Sequence, residues 1–182
     1  MIHHFSDSED LKYLFRVFGM ENLLQYLEGT DFFTAPASSK YHLACSGGLV
    51  QHTINVINTL EWLTLHMDLE WEKQRSPIIV GLLHDICKAD TYKKSDTGYI
   101  YSPTGKYTGN KKNNEHGSLS VKIAQDHDVI LTQEEILCIH YHMGAWTDDE
   151  LEGVTYNAAV HQCPNVLWTH TADMYASQVM EV

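Results

Sequence analysis

The segment VGLLHDICK at residues 80–88 decides how this sequence folds, because it sets a charged pair inside an apolar run. Residues 78–87 are almost wholly apolar and follow Pro77, which suits a first helical position, so we expect a buried helix. Burying His84 and Asp85 there without partners would be costly. Either the two hydrogen-bond within the core, or one divalent cation pairs both, since adjacent helical side chains point about 100° apart.

Other histidines lie on further predicted helices, which favours the cation. The chain has 12 histidines, as many as Lys and Arg combined, and imidazole is the commonest metal ligand among side chains. The candidate ligands follow one another along the chain as His52, His84, Asp85, His116, His140 or His142, and Asp173. The sequence therefore predicts a metal centre whose ligands come from several helices.

Hydrophobic periodicity predicts a mainly helical chain. Helices are expected over residues 7–26 with a break at Gly19, and over residues 49–67, 78–87, 118–125, 136–143 and 164–180. Residues 91–109 predict a short β-hairpin or flap, and residues 148–153 an exposed acidic loop. A chain of 182 residues suits one domain, in which residues 1–46 form an N-terminal extension of helices and loop and residues 47–182 the core.

Four blocks together with the later histidines and the last aspartate resemble a known family. They read TDFFTAPAS at 30–38, GGLVQH at 47–52, LLHDICK at 82–88 and YHMG at 141–144. In this order they resemble the HD-domain superfamily of metal-dependent phosphohydrolases, over nearly the whole chain. The sequence is most similar to a group of small bacterial and phage HD-domain hydrolases, and more distantly to the HD domain of a bacterial 3′-to-5′ exoribonuclease.

The resemblance implies an all-α HD-domain bundle with a small hairpin inserted after the HD helix. It also implies that one divalent ion is held by four residues: His52, His84, Asp85 and Asp173. Members with two more histidines bind a second ion, which assigns His116 and either His140 or His142 as ligands and Asp85 as the bridge between the ions. The match at residues 141–144 favours His142.

Mixed imidazole and carboxylate ligands suit one or two ions of Mn, Fe, Co, Ni or Zn, with Mg also admissible. Such ions activate a water that attacks phosphorus. The resemblance then makes Asp85, Lys88 and His116 catalytic, with Lys88 and His142 binding substrate phosphate. Lys88 has a simpler alternative, an exposed lysine near a helix end. With a single ion, His116 and His142 would contact phosphate or serve as general acid.

The formal net charge of −12 provides no long-range basic field for nucleic acid or lipid, so an anionic substrate must be attracted locally. Five basic residues cluster around the predicted flap: Lys93, Lys94, Lys106, Lys111 and Lys112. Four tyrosines accompany them: Tyr92, Tyr99, Tyr101 and Tyr107. These lysines either draw in substrate or coat a solvated hairpin, and the tyrosines either stack on a base or pack across strands.

We expect a cytoplasmic protein without a membrane span that acts on a small phosphorylated substrate, foremost a nucleotide, with a nucleic-acid end as a further option. The oligomeric state stays open. Two other activities fit the same ligand order: a di-iron oxygenase, and a nucleotide sensor without turnover.

Several chemically active residues receive no role. The second His-Asp pair, His127-Asp128, lies at a polar helix end, where the helix dipole accounts for the histidine. Histidines without an assigned function are His3, His4, His42, His66, His161 and His170, of which His170 stands near enough to Asp173 to support a ligand. The cysteines are Cys45, Cys87, Cys138 and Cys163; they form no C-x-x-C motif and are expected to be reduced and mostly buried.

Overall fold

The computed structural model describes residues 5–107, 115–147 and 150–181. Within these ranges the helices are α1 (Ser8–Val17), α2 (Glu21–Glu28), α3 (Gly48–His66), α4 (Ser76–Leu83), α5 (His116–Asp126), α6 (Gln133–His140), α7 (Tyr156–Gln162) and α8 (Asn165–Tyr175). The one antiparallel sheet in these ranges pairs β1 (Tyr92–Ser95) with β2 (Gly98–Tyr101). Short 3-10 turns cover Ile86–Lys88 and Gly144–Trp146, and a π-helical turn covers Ala176–Met180. The predicted helical fold with a small hairpin is confirmed.

The core is a hydrophobic cluster to which each of the eight described helices contributes. Residues of the predicted N-terminal extension belong to it, because Phe15 of α1 and Leu23 of α2 are fully buried. The predicted break near Gly19 is also confirmed, since α1 ends at Val17 and α2 begins at Glu21. In the part of the chain that the structure describes, no helix is long and apolar enough to cross a membrane.

Helix α3 lies at the centre and packs against α4 and α8. Its contact with α4 is unusually close at Gly81, where an added Cβ would lie 2.8 Å from Cγ1 and 3.0 Å from Cα of Ile57. Only a residue without a side chain lets the two helices approach this far. The close contact brings His52 of α3 next to His84, which follows α4.

The helix that precedes His84 and Asp85 ends earlier than the apolar pattern predicts. We expected a helix through residue 87, but α4 ends at Leu83, and His84 and Asp85 lie in a turn before the 3-10 segment. The hydrogen-bonding pattern changes here, because the Lys88 N–H donates to the Asp85 carbonyl three residues back. The turn removes Asp85 from the regular helical position and directs its carboxylate towards His52 and His84.

The hairpin follows this turn, as predicted. Tyr92 pairs with Tyr101 and Ser95 with Gly98. Helix α5 then packs against α6, and Gly117 lies against the backbone carbonyl of His140, so that any side chain at residue 117 would collide with it. This contact holds His116, the first residue of α5, beside the end of α6.

The C-terminal half departs from the prediction in two places. The helix expected over residues 136–143 ends at His140, and His142 lies in the following turn, where Tyr141 adopts a non-helical conformation and its hydroxyl meets the carbonyl of Val154. The sequence pattern also missed α7, whose first turn is capped by Thr155. The predicted last helix is confirmed, but its final turn is π-helical. Asp148 and Asp149 of the predicted acidic loop lie outside the described residues.

The close contact of α3 with α4 gives a stability prediction. Gly81→Ala should lower the free energy of unfolding by about 1–3 kcal/mol, because the new methyl group overpacks against Ile57. Urea denaturation measures the change. The control is Gly29→Ala at an exposed helix end, which should change stability by less than about 0.5 kcal/mol. Helix propensity alone favours alanine, so an unchanged or higher stability of Gly81→Ala would mean that the helices can separate without cost.

Candidate metal centre

Four of the predicted ligands meet in the interior. His52 Nε2 lies 3.2 Å from His84 Nε2, 3.4 Å from Asp85 Oδ2 and 3.2 Å from Asp173 Oδ1. His84 Nε2 lies 3.4 Å from the same oxygen of Asp85. Both imidazoles are fully buried, and the Asp85 side chain is 2% exposed. Residues from α3 and from the turn after α4 therefore bring three donor atoms together, and Asp173 of α8 contacts one of them, Nε2 of His52.

These separations suit a shared transition-metal ion. Donor atoms about 2.1 Å from a common ion lie about 3.0 Å apart at right angles and about 3.4 Å apart at the tetrahedral angle. The separations among the donor atoms of His52, His84 and Asp85, 3.2–3.4 Å, fall within this interval. The buried histidine and aspartate side chains can thus hold a metal ion.

The hydrogen bonds of the three histidines also favour Nε2 as the ligand atom. His84 Nδ1 lies 2.8 Å from the Gly81 carbonyl, and His142 Nδ1 lies 2.8 Å from the Ile139 carbonyl. His52 Nδ1 lies 3.1 Å from the carboxylate of Glu181. Because each Nδ1 meets an oxygen acceptor, it carries a proton, and Nε2 is the atom that faces the cluster and can bind a cation.

A second position lies on the other side of Asp85. Its Oδ1 atom is 3.6 Å from Nε2 of His142, which is too long for a hydrogen bond, and both atoms are buried without a hydrogen-bond partner. Such unpaired buried atoms are costly unless a further group binds them. Oδ2 of Asp85 faces Nε2 of His52 and of His84, while Oδ1 faces Nε2 of His142. The two oxygens of Asp85 therefore face different histidines.

His116 also lies near this second position. One of its ring nitrogens, a carboxylate oxygen of Asp85 and the sulfur of Cys87 lie within 4.8 Å of one another. His140 is buried as well, with its ring centroid 4.4 Å from that of Tyr141. Asp85 contacts His142, the histidine that the motif at residues 141–144 favours as a ligand.

The charges of the site favour a cation. Asp85 is buried, which disfavours its ionised form, but the nearby charges of Lys88 and His84 hold its pKa well below the usual value. The Asp173 side chain is 13% exposed; its partial burial raises its pKa, but the hydrogen bond with His52 outweighs this and lowers it. Both carboxylates are therefore ionised at neutral pH and attract positive charge to the cluster.

The two central histidines respond differently to this environment. Burial opposes protonation of His52, but hydrogen bonds with Asp173, Asp85 and Glu181 raise its pKa well above the usual value. Burial lowers the pKa of His84, and the charge of Asp85 compensates only in part. The charged form of His52 places a proton where a metal ion would lie, so an ion must displace that proton in order to bind.

Lys88 reaches this centre. Its Nζ atom lies 2.6 Å from Asp85 Oδ2, and its side chain is 11% exposed, so the alternative of an exposed lysine at a helix end is wrong. Burial disfavours the ammonium, but the charge of Asp85 outweighs this and raises the pKa of Lys88. A permanent positive charge therefore lies directly beside the carboxylate that faces both positions.

Three residues of the site carry no sequence signal. The Glu181 side chain is 1% exposed and accepts a hydrogen bond from Asn55 Nδ2 at 2.8 Å. Its other partners are His52 and His42. Nδ1 of His42 lies 2.6 Å from Oε2 of Glu181. Burial raises the pKa of Glu181, but hydrogen bonds with His42 and His52 dominate and lower it to about 2. His42 thus contacts the carboxylate that also contacts His52, a candidate ligand.

His170, which the sequence places close enough to Asp173 to support a ligand, contacts the site. Its Nδ1 lies 2.8 Å from the carbonyl of His142. The second His-Asp pair takes part in other contacts: Asp128 accepts a hydrogen bond from Asn22 at 2.8 Å, and the ring of His127 stacks on Tyr26.

The described lysines of the hairpin region fit both predicted alternatives, whereas Tyr92 and Tyr101 contact each other across the strands. Lys93, Lys94 and Lys106 are exposed, as a solvated hairpin or a substrate-attracting surface requires. Tyr92 and Tyr101 contact each other across the strands, with ring centroids 6.3 Å apart, which is the packing alternative. The ring centroids of Tyr107 and Tyr26 lie 5.7 Å apart. Lys111 and Lys112 lie outside the described residues.

Comparison with known proteins found no matching family model, no matching curated protein and no matching solved structure. The description of the site therefore depends on the residues themselves.

The first prediction for this site concerns metal content. Asp85→Asn should weaken binding of Mn²⁺ or Co²⁺ at least about tenfold, because it removes the charge that faces both positions. Equilibrium dialysis with elemental analysis measures the change. The matched control is Asp128→Asn in the other His-Asp pair, which should bind metal like the wild type. Equal metal content in all three proteins would contradict the assignment.

The second prediction concerns Glu181. Glu181→Gln should weaken metal binding by about 10–100-fold, because loss of the carboxylate charge makes His52 a poorer ligand. Titration with Co²⁺, followed by visible absorption, gives the affinity. Glu134→Gln alters a carboxylate that is hydrogen-bonded to Asn165 and lies outside the cluster, and its affinity should not change. If both variants bind Co²⁺ like the wild type, Glu181 only helps to close the fold.

Proposed function

We propose that this protein is a metal-dependent phosphohydrolase of the HD-domain type, which cleaves a nucleotide or another phosphate ester with a metal-activated water. The observation that carries the proposal is the position of Asp85, whose two oxygens face different groups of histidines while its buried Oδ1 and His142 Nε2 have no partner. A carboxylate in this position suits a bridge between two cations. Two-metal sites are common in enzymes that hydrolyse phosphate esters.

The residues that would hold the first ion are His52, His84, Asp85 and Asp173, and those that would hold the second are Asp85, His116 and His142. Bound ions supply a hydroxide at neutral pH and stabilise charge on the attacking and leaving oxygens. The chain provides the orientation: Asp85 faces both sets of nitrogens, and the Nδ1 contacts of His84 and His142 with backbone carbonyls fix their rings. No protein nucleophile is required.

Lys88 supplies fixed positive charge for the substrate. Its ammonium lies 2.6 Å from Asp85, at the edge of the cluster, and Tyr92 of the hairpin lies close enough to affect its charge. A phosphate oxygen that approaches the two positions would share this ammonium, which offsets the negative charge of the carboxylates. Charge-assisted bonds of this kind favour a substrate with a terminal phosphate.

The exposed lysines of the hairpin region support a small anionic substrate. Lys93, Lys94 and Lys106 provide local positive charge on a chain whose formal net charge is −12. A local patch can attract a nucleotide without the long-range field that binding along a nucleic acid requires. We therefore place a nucleotide first and a nucleic-acid end second.

The proposal predicts phosphate release that depends on metal and on Lys88. Purified protein loaded with Mn²⁺ or Fe²⁺ should hydrolyse at least one member of a panel of phosphomonoesters, phosphodiesters and nucleoside triphosphates. Lys88→Gln should lower kcat/KM by about 10²-fold or more, since its charge acts on phosphate in the low-dielectric interior. Lys122→Gln changes a surface lysine paired with Asp126 and should leave the rate unchanged.

Other outcomes would contradict the proposal. Bound metal without release of phosphate from any substrate excludes it. Oxygen consumption together with a mixed-valent iron signal would identify a di-iron oxygenase, and tight nucleotide binding without product would identify a sensor.

A further inference from the structure

Cys87 follows Asp85 by two residues and is fully buried. Its backbone is held on both sides, because its N–H donates to Ser120 Oγ at 3.3 Å and its carbonyl accepts from Thr91 Oγ1 at 3.2 Å. Its sulfur lies 3.8 Å from His116 Nδ1. The thiol is thus fixed beside a residue that the proposed function assigns to the second metal position.

The separation of sulfur and nitrogen suits shared coordination of one ion. With bonds of about 2.3 Å to sulfur and about 2.0 Å to nitrogen, tetrahedral geometry places the two donor atoms about 3.5 Å apart. The observed distance is 3.8 Å, and a carboxylate oxygen of Asp85 lies within 4.8 Å of both donors. A small shift of either side chain would complete the geometry.

An independent observation indicates that a ligand belongs here. Asp85 Oδ1 and His142 Nε2 are buried without a hydrogen-bond partner, and they lie 3.6 Å apart. Asp85 takes part in this contact as well as in the cluster with Cys87 and His116. The unpartnered oxygen of Asp85 and the cluster of Asp85, Cys87 and His116 together indicate a cation beside Asp85, with sulfur, nitrogen and oxygen as the donor types.

We infer that Cys87 is a thiolate ligand of the second metal position and makes that position selective for Zn²⁺, Fe²⁺ or Co²⁺ over Mg²⁺. The inference rests on the two-ion centre of the proposed function and adds to it the class of metal. Soft thiolate ligands favour Zn and Fe, whereas Mg²⁺ prefers oxygen ligands. As the sulfur–metal bond forms, the sulfur–hydrogen bond breaks and its proton passes to solvent.

Titration of the metal-free protein with Co²⁺ tests the inference. The wild type should bind two equivalents and develop a sulfur-to-cobalt charge-transfer band in the near ultraviolet. Cys87→Ser should lose this band, bind one equivalent like the wild type and bind the other at least tenfold more weakly. Cys138→Ser replaces another fully buried cysteine, in α6, and should retain the band and both equivalents.

Each further outcome decides against the inference. A wild type that binds two equivalents without a charge-transfer band removes the thiolate and leaves the proposed function intact. A band that persists in Cys87→Ser assigns the sulfur to another residue. A wild type that binds no Co²⁺ overturns both the inference and the metal centre. If Cys87→Ser does not fold, the absence or presence of the band in the wild type and in Cys87→Ala still decides.

Discussion

The concentration of buried charge around Asp85 is the constraint on which the rest of the structure depends. The Asp85 carboxylate, with 2% of its side chain exposed, lies near three imidazoles and one ammonium. Removing each charged group from water is costly, so charges buried in the interior must lie close to charges of opposite sign. Helices α3, α4 and α8 approach closely enough for the charges to compensate one another. The Gly81 contact permits this approach, and the hydrogen bonds to Gly81, Ile139 and Glu181 fix the direction of each ring.

The ends of helices, more than their middles, supply the site. His84 and Asp85 follow the last residue of α4, His116 begins α5, and His142 follows the end of α6. A residue in a turn can direct its side chain independently of the helical repeat, whereas residues inside a helix are tied to steps of about 100°. This freedom explains how Asp85 contacts the nitrogen atoms of His52 and His84 with one oxygen and that of His142 with the other.

Local sequence pattern predicted the elements of this fold better than their ends. Apolar periodicity and turn residues were sufficient for α3, for the break before α2 and for the hairpin. They failed at residues 84–87 and 141–143, where neither glycine nor proline interrupts the sequence although α4 and α6 have already ended. The choice of His142 over His140 came from a motif, while the geometry that favours it arises from the end of α6. Glu181 and His42 lie 139 residues apart, and no local pattern links them across that separation.

The candidate ligands come from distant parts of the chain, and this separation bears on the stability of the folded protein. The candidate ligands extend from α3 to α8. Glu181, the last described residue, contacts His52 near the beginning of that span. An ion at their centre would act as a removable cross-link between elements that are remote in sequence. Binding to the native state alone shifts the unfolding equilibrium in proportion to the logarithm of ligand concentration. Metal supply would then govern how much of the chain is folded.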